Sequence, residues 1–144
     1  MNRVAAQFQN LREAGKKAFI PYVMGGDPDL ASLPKILETL TESGADLIEV
    51  GVPFSDPLAD GPVIQAAGVR ALQHGCTLTK LLNTIKPVAS VLAAPLMLMI
   101  YYNQVLQRGL ERFIEEIKDA GCSGLIIPDL PPDTAVELRE LAAR

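Results

Sequence analysis

DLIEVGVPFSDPLADGP, residues 46–62, is the stretch on which the reading of this chain turns. Its first half has the composition of a strand buried on both faces, with Leu47, Ile48, Val50 and Val52 as aliphatic and β-branched side chains. Glu49 interrupts the run. An unpaired carboxylate on a buried strand costs several kcal/mol or is driven toward its protonated form, and packing alone gives no reason to accept that cost. Alternation puts Leu47, Glu49 and Gly51 on one face, with Ile48 and Val50 on the other. A loop follows that carries Ser55, Asp56 and Asp60 and is stiffened by Pro53 and Pro57. Gly61-Pro62 then reads as a helix start with proline in the first turn. The pattern sets a strand-borne Glu and loop-borne Asp residues at the carboxyl end of one strand, where βα architectures keep their chemistry.

Outward from this stretch, strands and helices alternate. On the amino-terminal side, residues 1–15 read as an amphipathic helix with Val4, Phe8 and Leu11 at helical spacing and Gly15 as its stop. In a barrel such a segment would cover the bottom of the sheet. Residues 19–24 read as a strand, Gly25-Gly26-Asp27-Pro28 as a turn, and 32–43 as a helix with Pro34 in its first turn. On the other side, a helix over 62–74 stops at Gly75. A second helix containing Leu81, Leu82 and Ile85 is capped by Thr77 or Thr79 and ended or kinked by Pro87. Residues 95–101 form a strand, 103–108 a helical turn, 110–120 a helix and 123–127 a strand, and Asp133 caps a last helix running to residue 144. This alternation calls for βαβ units and a parallel sheet. SGADLIEV (43–50) and AGCSGLII (120–127) echo each other, and Glu49 falls where the later copy has apolar Ile126.

Composition narrows the function classes. The 144 residues suffice for one core, and a hydrophobic fraction of 49% suits a well-buried α/β protein. A net charge of −4 with no basic run argues against a nucleic-acid partner. The longest apolar run, 91–102, contains Pro95 and is too short to span a bilayer, so no membrane association is expected. Residues 1–12 lack an apolar leader core, and a cytoplasmic location is expected. Cys76 and Cys122 have no metal-ligand spacing and read as reduced and incidental. Gly25-Gly26 matches neither a Walker nor a dinucleotide fingerprint.

Each candidate residue has a plainer alternative. Glu49 can be a strand-end carboxylate paired with a neighbour. Asp60, in Asp-Gly-Pro, can be turn and cap chemistry, and Asp56 can cap the Pro57 turn or serve a partner surface. Tyr22 and Tyr101 are core tyrosines by default, though each hydroxyl then needs a partner. Asp129 suits capping or loop hydrogen bonding. His74, the single histidine, sits at a helix C-terminus, which leaves no His-based triad or metal site.

The central stretch resembles the signature of the tryptophan synthase alpha subunit family, a hydrophobic strand and Glu followed by PFSDPxADGP. FIPYVMGGDPD (19–29), MIYYN (99–103) and IIPDLP (126–131) are similar to that family's first, third and fourth strands with their loops, so the resemblance covers essentially the whole chain. It departs at Met24-Gly25, where a Thr and a small or aliphatic residue are commoner. The resemblance implies a (β/α)8 barrel. Four units do not close a barrel, which normally takes eight and ~250 residues. The expectation is that 1–144 is the N-terminal half of one barrel domain, truncated in or after helix four. The alternative is a flavodoxin-like four-unit domain with helices on both faces.

The resemblance further implies a lyase that cleaves indole-3-glycerol phosphate to indole and glyceraldehyde 3-phosphate, in complex with a beta subunit (an alpha2beta2 assembly). Glu49 and Asp60 are then catalytic, Tyr22 and Tyr101 substrate-binding, and Pro53 and Asp56 part of a partner-interface loop, with neither metal nor organic cofactor. The half chain alone is expected to be inactive. Two rivals stand beside this: a non-catalytic half-barrel that binds a partner through the 53–60 loop, and another phosphate-substrate barrel aldolase or isomerase.

Overall fold

The computed structural model describes residues 2–143. Four short strands, β1 (Tyr22–Met24), β2 (Ile48–Gly51), β3 (Leu96–Met99) and β4 (Gly124–Ile126), pair in parallel in sequence order. The helices are α1 (Arg3–Glu13), α2 (Leu33–Glu42), α3 (Pro62–Gln73), α4 (Leu78–Ala89), α5 (Tyr102–Arg108), α6 (Leu110–Asp119) and α7 (Val136–Ala143), with a 3-10 turn at Pro132–Thr134. Strands laid down in sequence order are those of a sheet winding in one direction. A flavodoxin-like sheet reverses direction beside its first strand, so that alternative is excluded.

The β-branched and aliphatic positions of the strands face one layer of helices. Ile48, Val50, Leu96 and Leu98, all at 1% exposure or less, pack with Leu33 and Leu37 of α2, Leu81 and Ile85 of α4, and Phe113 of α6. Phe113 is fully buried there. Phe113→Ala is expected to destabilise the intact protein by about 3–5 kcal/mol, read as a lowered urea midpoint.

α1 crosses the opposite end of the sheet from the acidic loop. Arg3 Nη2 donates to Leu92 O at 2.7 Å and Ala93 O at 3.2 Å, just before β3. Gln7 Nε2 donates to Asp46 Oδ1 at 3.1 Å, just before β2, while Asp46 Oδ2 accepts from Phe19 N at 2.8 Å. Val4 lies 3.8 Å from where a Cβ on Gly124, the first residue of β4, would stand. All these contacts are at the amino ends of strands, so α1 covers the bottom and leaves the carboxyl ends open.

Three local expectations change. The first strand spans Tyr22–Met24, not 19–24, because Pro21 has no N–H for the ladder, although Phe19 and Pro21 still accept bonds from Asp46 N and Glu49 N through their carbonyls. α4 runs on through Pro87 to Ala89, since a proline in the last turn forfeits one bond that close to the end. Thr77 is its cap: its hydroxyl accepts from Lys80 N at 3.3 Å. Asp133 does not cap the last helix but sits inside the 3-10 turn, and α7 begins at Val136. Residue 144, included in the expected helix, lies outside the described residues.

The internal echo is structural. Gly44 and Gly121 both take positive φ (93° and 81°) as the helices before β2 and β4 end, and Ala45 N and Cys122 N close the same bonds back to Leu40 O and Ile117 O.

Candidate active site

Residues in register across parallel strands share a face, so Tyr22, Glu49, Met97 and Gly124 form one row on the side away from the helix layer. The next row toward the carboxyl ends is Met24, Gly51, Met99 and Ile126. Glu49 is half-buried on this face, not enclosed as the apolar run around it suggests, because the layer of helices covers only the other side. Ile126, its counterpart in the internal echo, stands beside Met99 in the sheet because the strands are staggered.

Gly51 makes room for the Tyr22 ring. A Cβ at residue 51 would collide with the Tyr22 hydroxyl, so the ring leans over the bare strand toward the carboxyl end. Burial, and after it electrostatic interaction with Asp60, Tyr101 and Glu49, raise the Tyr22 pKa far above its ordinary value. Tyr22 is therefore a neutral hydrogen-bond donor at any physiological pH. Its electrostatic neighbours are three of the residues singled out in the sequence. Burial comes first for Tyr101 as well; the Ala59 N–H opposes it, and Asp60, by its charge and as an acceptor close to the hydroxyl, and then Asp129 add to it, so that the net shift is upward.

Each loop at the carboxyl ends is bonded to a neighbouring loop or helix of the rim. After β1, Asp27 takes a two-pronged bond from Arg70 of α3, with Nε and Nη2 each 2.8 Å from its carboxylate oxygens. After β2, Ala59 N donates to the Tyr101 hydroxyl at 3.0 Å, and the Phe54 and Tyr101 rings stack with centroids 5.4 Å apart. Gln104 Nε2 donates to Pro53 O at 3.2 Å. After β4, Asp129 Oδ1 accepts from Tyr102 N, the first N–H of α5, at 2.8 Å. Of the two roles expected for Asp129, capping or loop hydrogen bonding, this bond serves as a cap supplied from another loop, since it satisfies the first N–H of a helix.

Asp60 is half-buried at the foot of the 53–60 loop. Its backbone carbonyl accepts from Gln65 Nε2 at 2.8 Å, yet α3 starts at Gly61 as N-cap with no side-chain capping bond. Capping therefore does not occupy the Asp60 carboxylate. Of the two residues expected to face a partner, Asp56 is exposed and takes a bond from Ser55 Oγ at 2.7 Å, whereas Pro53 is buried. The loop tip instead presents Leu58, 87% exposed. Sequence reasoning passed over Gln104, Arg70 and Phe54, whose contacts span 51, 43 and 47 positions and leave no local signal. Gly51 did carry one, as a glycine on the face of Glu49.

The Asp27–Arg70 bridge has a pH signature. The guanidinium holds the Asp27 carboxyl below its ordinary value. A carboxylate whose folded pKa is depressed contributes stability above its unfolded pKa and loses it as the pH falls through the folded one. The Tm gap between the intact protein and its Arg70→Met variant should be constant at neutral pH and narrow only in that acid window.

Comparison with known proteins agrees with this geometry. A sequence profile described as tryptophan synthase alpha chain matches residues 8–144. The tryptophan synthase alpha chain of Synechocystis sp. is 51% identical over 143 residues, covering 99% of this chain and 54% of the relative, and that of Geobacter sulfurreducens is 45% identical over 144 residues, again 54% of its length. The crystal structure of tryptophan synthase subunit alpha from Legionella pneumophila superposes with a TM-score of 0.95 at 37% identity, covering 99% of this chain and 55% of that one. A tryptophan synthase structure from M. tuberculosis gives 0.92 at 36% identity, with 99% and 58% covered. The chain thus spans about half the length of the relatives it matches, and its sheet is half of a (β/α)8 barrel with the acidic loop on the barrel mouth. With the profile match running through β2, its Glu and its loop, the chain belongs to the tryptophan synthase alpha chain family.

Proposed function

We propose that residues 1–144 are the N-terminal half of one barrel domain, and that the intact protein is a lyase that cleaves indole-3-glycerol phosphate to indole and glyceraldehyde 3-phosphate. The observation that carries this reading is geometric: Glu49 stands in register with Tyr22 on the open face of the sheet, and Asp60, which α3 does not use as its cap, follows Ala59 where that residue bonds the Tyr101 hydroxyl at the mouth. Retro-aldol cleavage of an indole substituent needs ring C3 protonated, the ring N–H proton accepted and a side-chain hydroxyl deprotonated. Glu49 projects from a strand and is held in place by its backbone, so it is the group to donate and accept those protons. Asp60, on the more open loop, stabilises positive charge developing at the indole nitrogen. Tyr22 and Tyr101 wall the pocket, Tyr22 as a neutral donor. These roles call for no metal or organic cofactor.

The partner in this reading is a beta subunit that takes up the indole. The 87% exposure of Leu58, beside exposed Asp56, supports the tip of the 53–60 loop as part of that interface, with buried Pro53 as its base. Cys76 and Cys122 are free thiols, and burial pushes the Cys122 thiol up to about 11, which fits an unreactive cysteine in the reducing cytoplasm.

The test is indole release from indole-3-glycerol phosphate by the intact protein and by Asp60→Asn. The variant should turn over about tenfold or more slowly. Wild-type turnover by Asp60→Asn would remove Asp60 from the reaction and leave it part of a turn, and an intact protein that releases no indole would favour the rival barrel aldolase or isomerase. Capture of a beta subunit without any turnover would favour the non-catalytic module.

A further inference from the structure

The 53–60 loop is held at both ends by the first residues of one short helix. Tyr101, the N-cap of α5, stacks on Phe54 with ring centroids 5.4 Å apart and receives the Ala59 N–H at 3.0 Å on its hydroxyl. Gln104, one turn on, donates to Pro53 O at 3.2 Å. Between these anchors, Ser55, Asp56 and Leu58 are exposed. Asp60 follows Ala59 directly, so the Tyr101 hydroxyl fixes the peptide from which that carboxylate projects.

Gln104 supplies a second, independent observation. Its Oε1 is buried without a hydrogen-bond partner among the described residues. An orphaned buried acceptor is unfavourable, and a methionine of the same length would remove it. The amide cannot turn over to relieve it, because Oε1 would then face the Pro53 carbonyl. The cost is tolerated for the one bond that the other end of the amide makes to the loop.

We infer that Tyr101 and Gln104 form a two-point clamp on the 53–60 loop and act as positioning residues for Asp60, the Tyr101 hydroxyl working on the loop end that carries Ala59 and Asp60 and not on substrate. This rests on the lyase reading for its kinetic consequences but not for the clamp itself. The Tyr101 side chain is 2% exposed, so its hydroxyl is enclosed by the loop it holds.

The experiment is made on the intact protein with its beta subunit. Tyr101→Phe keeps the ring and the Phe54 stack and removes only the hydroxyl. Amide exchange at Ala59, an exposed residue, should accelerate by at least tenfold. Turnover should fall by about tenfold with KM within twofold, since misplacing a charged group by about 1 Å costs up to 10²-fold. In an Asp60→Asn background the same change should cost little more, because the clamp then has no carboxylate to place. Gln104→Met should lower turnover severalfold while Tm holds or rises.

Unchanged exchange at Ala59 would overturn the clamp. A raised KM with turnover unchanged would make the hydroxyl a substrate contact, and additive losses in the Asp60→Asn background would show that it acts elsewhere. Should the wild type release no indole, the lyase reading fails while the exchange measurement still decides the clamp.

Discussion

Glu49→Gln in the intact protein is expected to lower indole release by about 10²-fold or more while substrate still binds. Glutamine keeps the shape and the hydrogen-bonding reach of the side chain and removes only its capacity to carry a proton. The substitution is also mild for the fold. Glu49 faces away from the helix layer, is half-buried and has Tyr22 and Met97 as its neighbours in register, so no packed contact in the main core is lost. The measurement is single-turnover indole release beside binding of an unreactive substrate analogue. Turnover near the wild-type rate would remove Glu49 from the reaction, and loss of analogue binding would make it a binding residue. Asp60→Asn should lie between Glu49→Gln and wild type, because a stabilising charge lowers the barrier without itself carrying the proton.

Residues 1–144 alone are expected to show no measurable lyase activity, a loss of several orders of magnitude against the intact protein. Two deficits add. The face that carries Tyr22, Glu49, Met97, Met99 and Ile126 is only half-buried, and β1 and β4 each have one edge without a partner in the sheet. An open mouth admits water, which weakens every electrostatic interaction on which Glu49 and Asp60 would rely. The loops after strands seven and eight, which commonly grip phosphate in such barrels, are not in these residues. Binding energy from that remote end normally helps hold the reacting end in place. Light scattering together with an indole assay tests both points. A monomer of 1–144 turning over at the intact rate would contradict them, whereas association without turnover, or an inactive monomer, is the expected outcome.

Much of this arrangement was legible from residue order because it depends on local physics. Alternation within DLIEV decides which face Glu49 takes, and its β-branched neighbours favour a strand. Gly44 and Gly121 end helices by adopting a backbone conformation that other residues avoid, so the βα rhythm can be counted by eye. Tertiary structure alone decided the relations across the rim. Pro53 reads as a surface loop proline yet is buried, continuing the buried end of β2, where Gln104, 51 positions on, donates to its carbonyl. Asp60 reads equally well as a helix cap, and only the placement of Gly61 as N-cap shows that α3 does not use its carboxylate. Tyr101 reads as a core tyrosine, and nothing near it in sequence says that its hydroxyl is committed to Ala59, 42 positions earlier. Propensity and periodicity act over a few residues and are written in the order of the chain. Hydrogen bonds between loops depend on which strands lie side by side, and that is settled only when the sheet assembles.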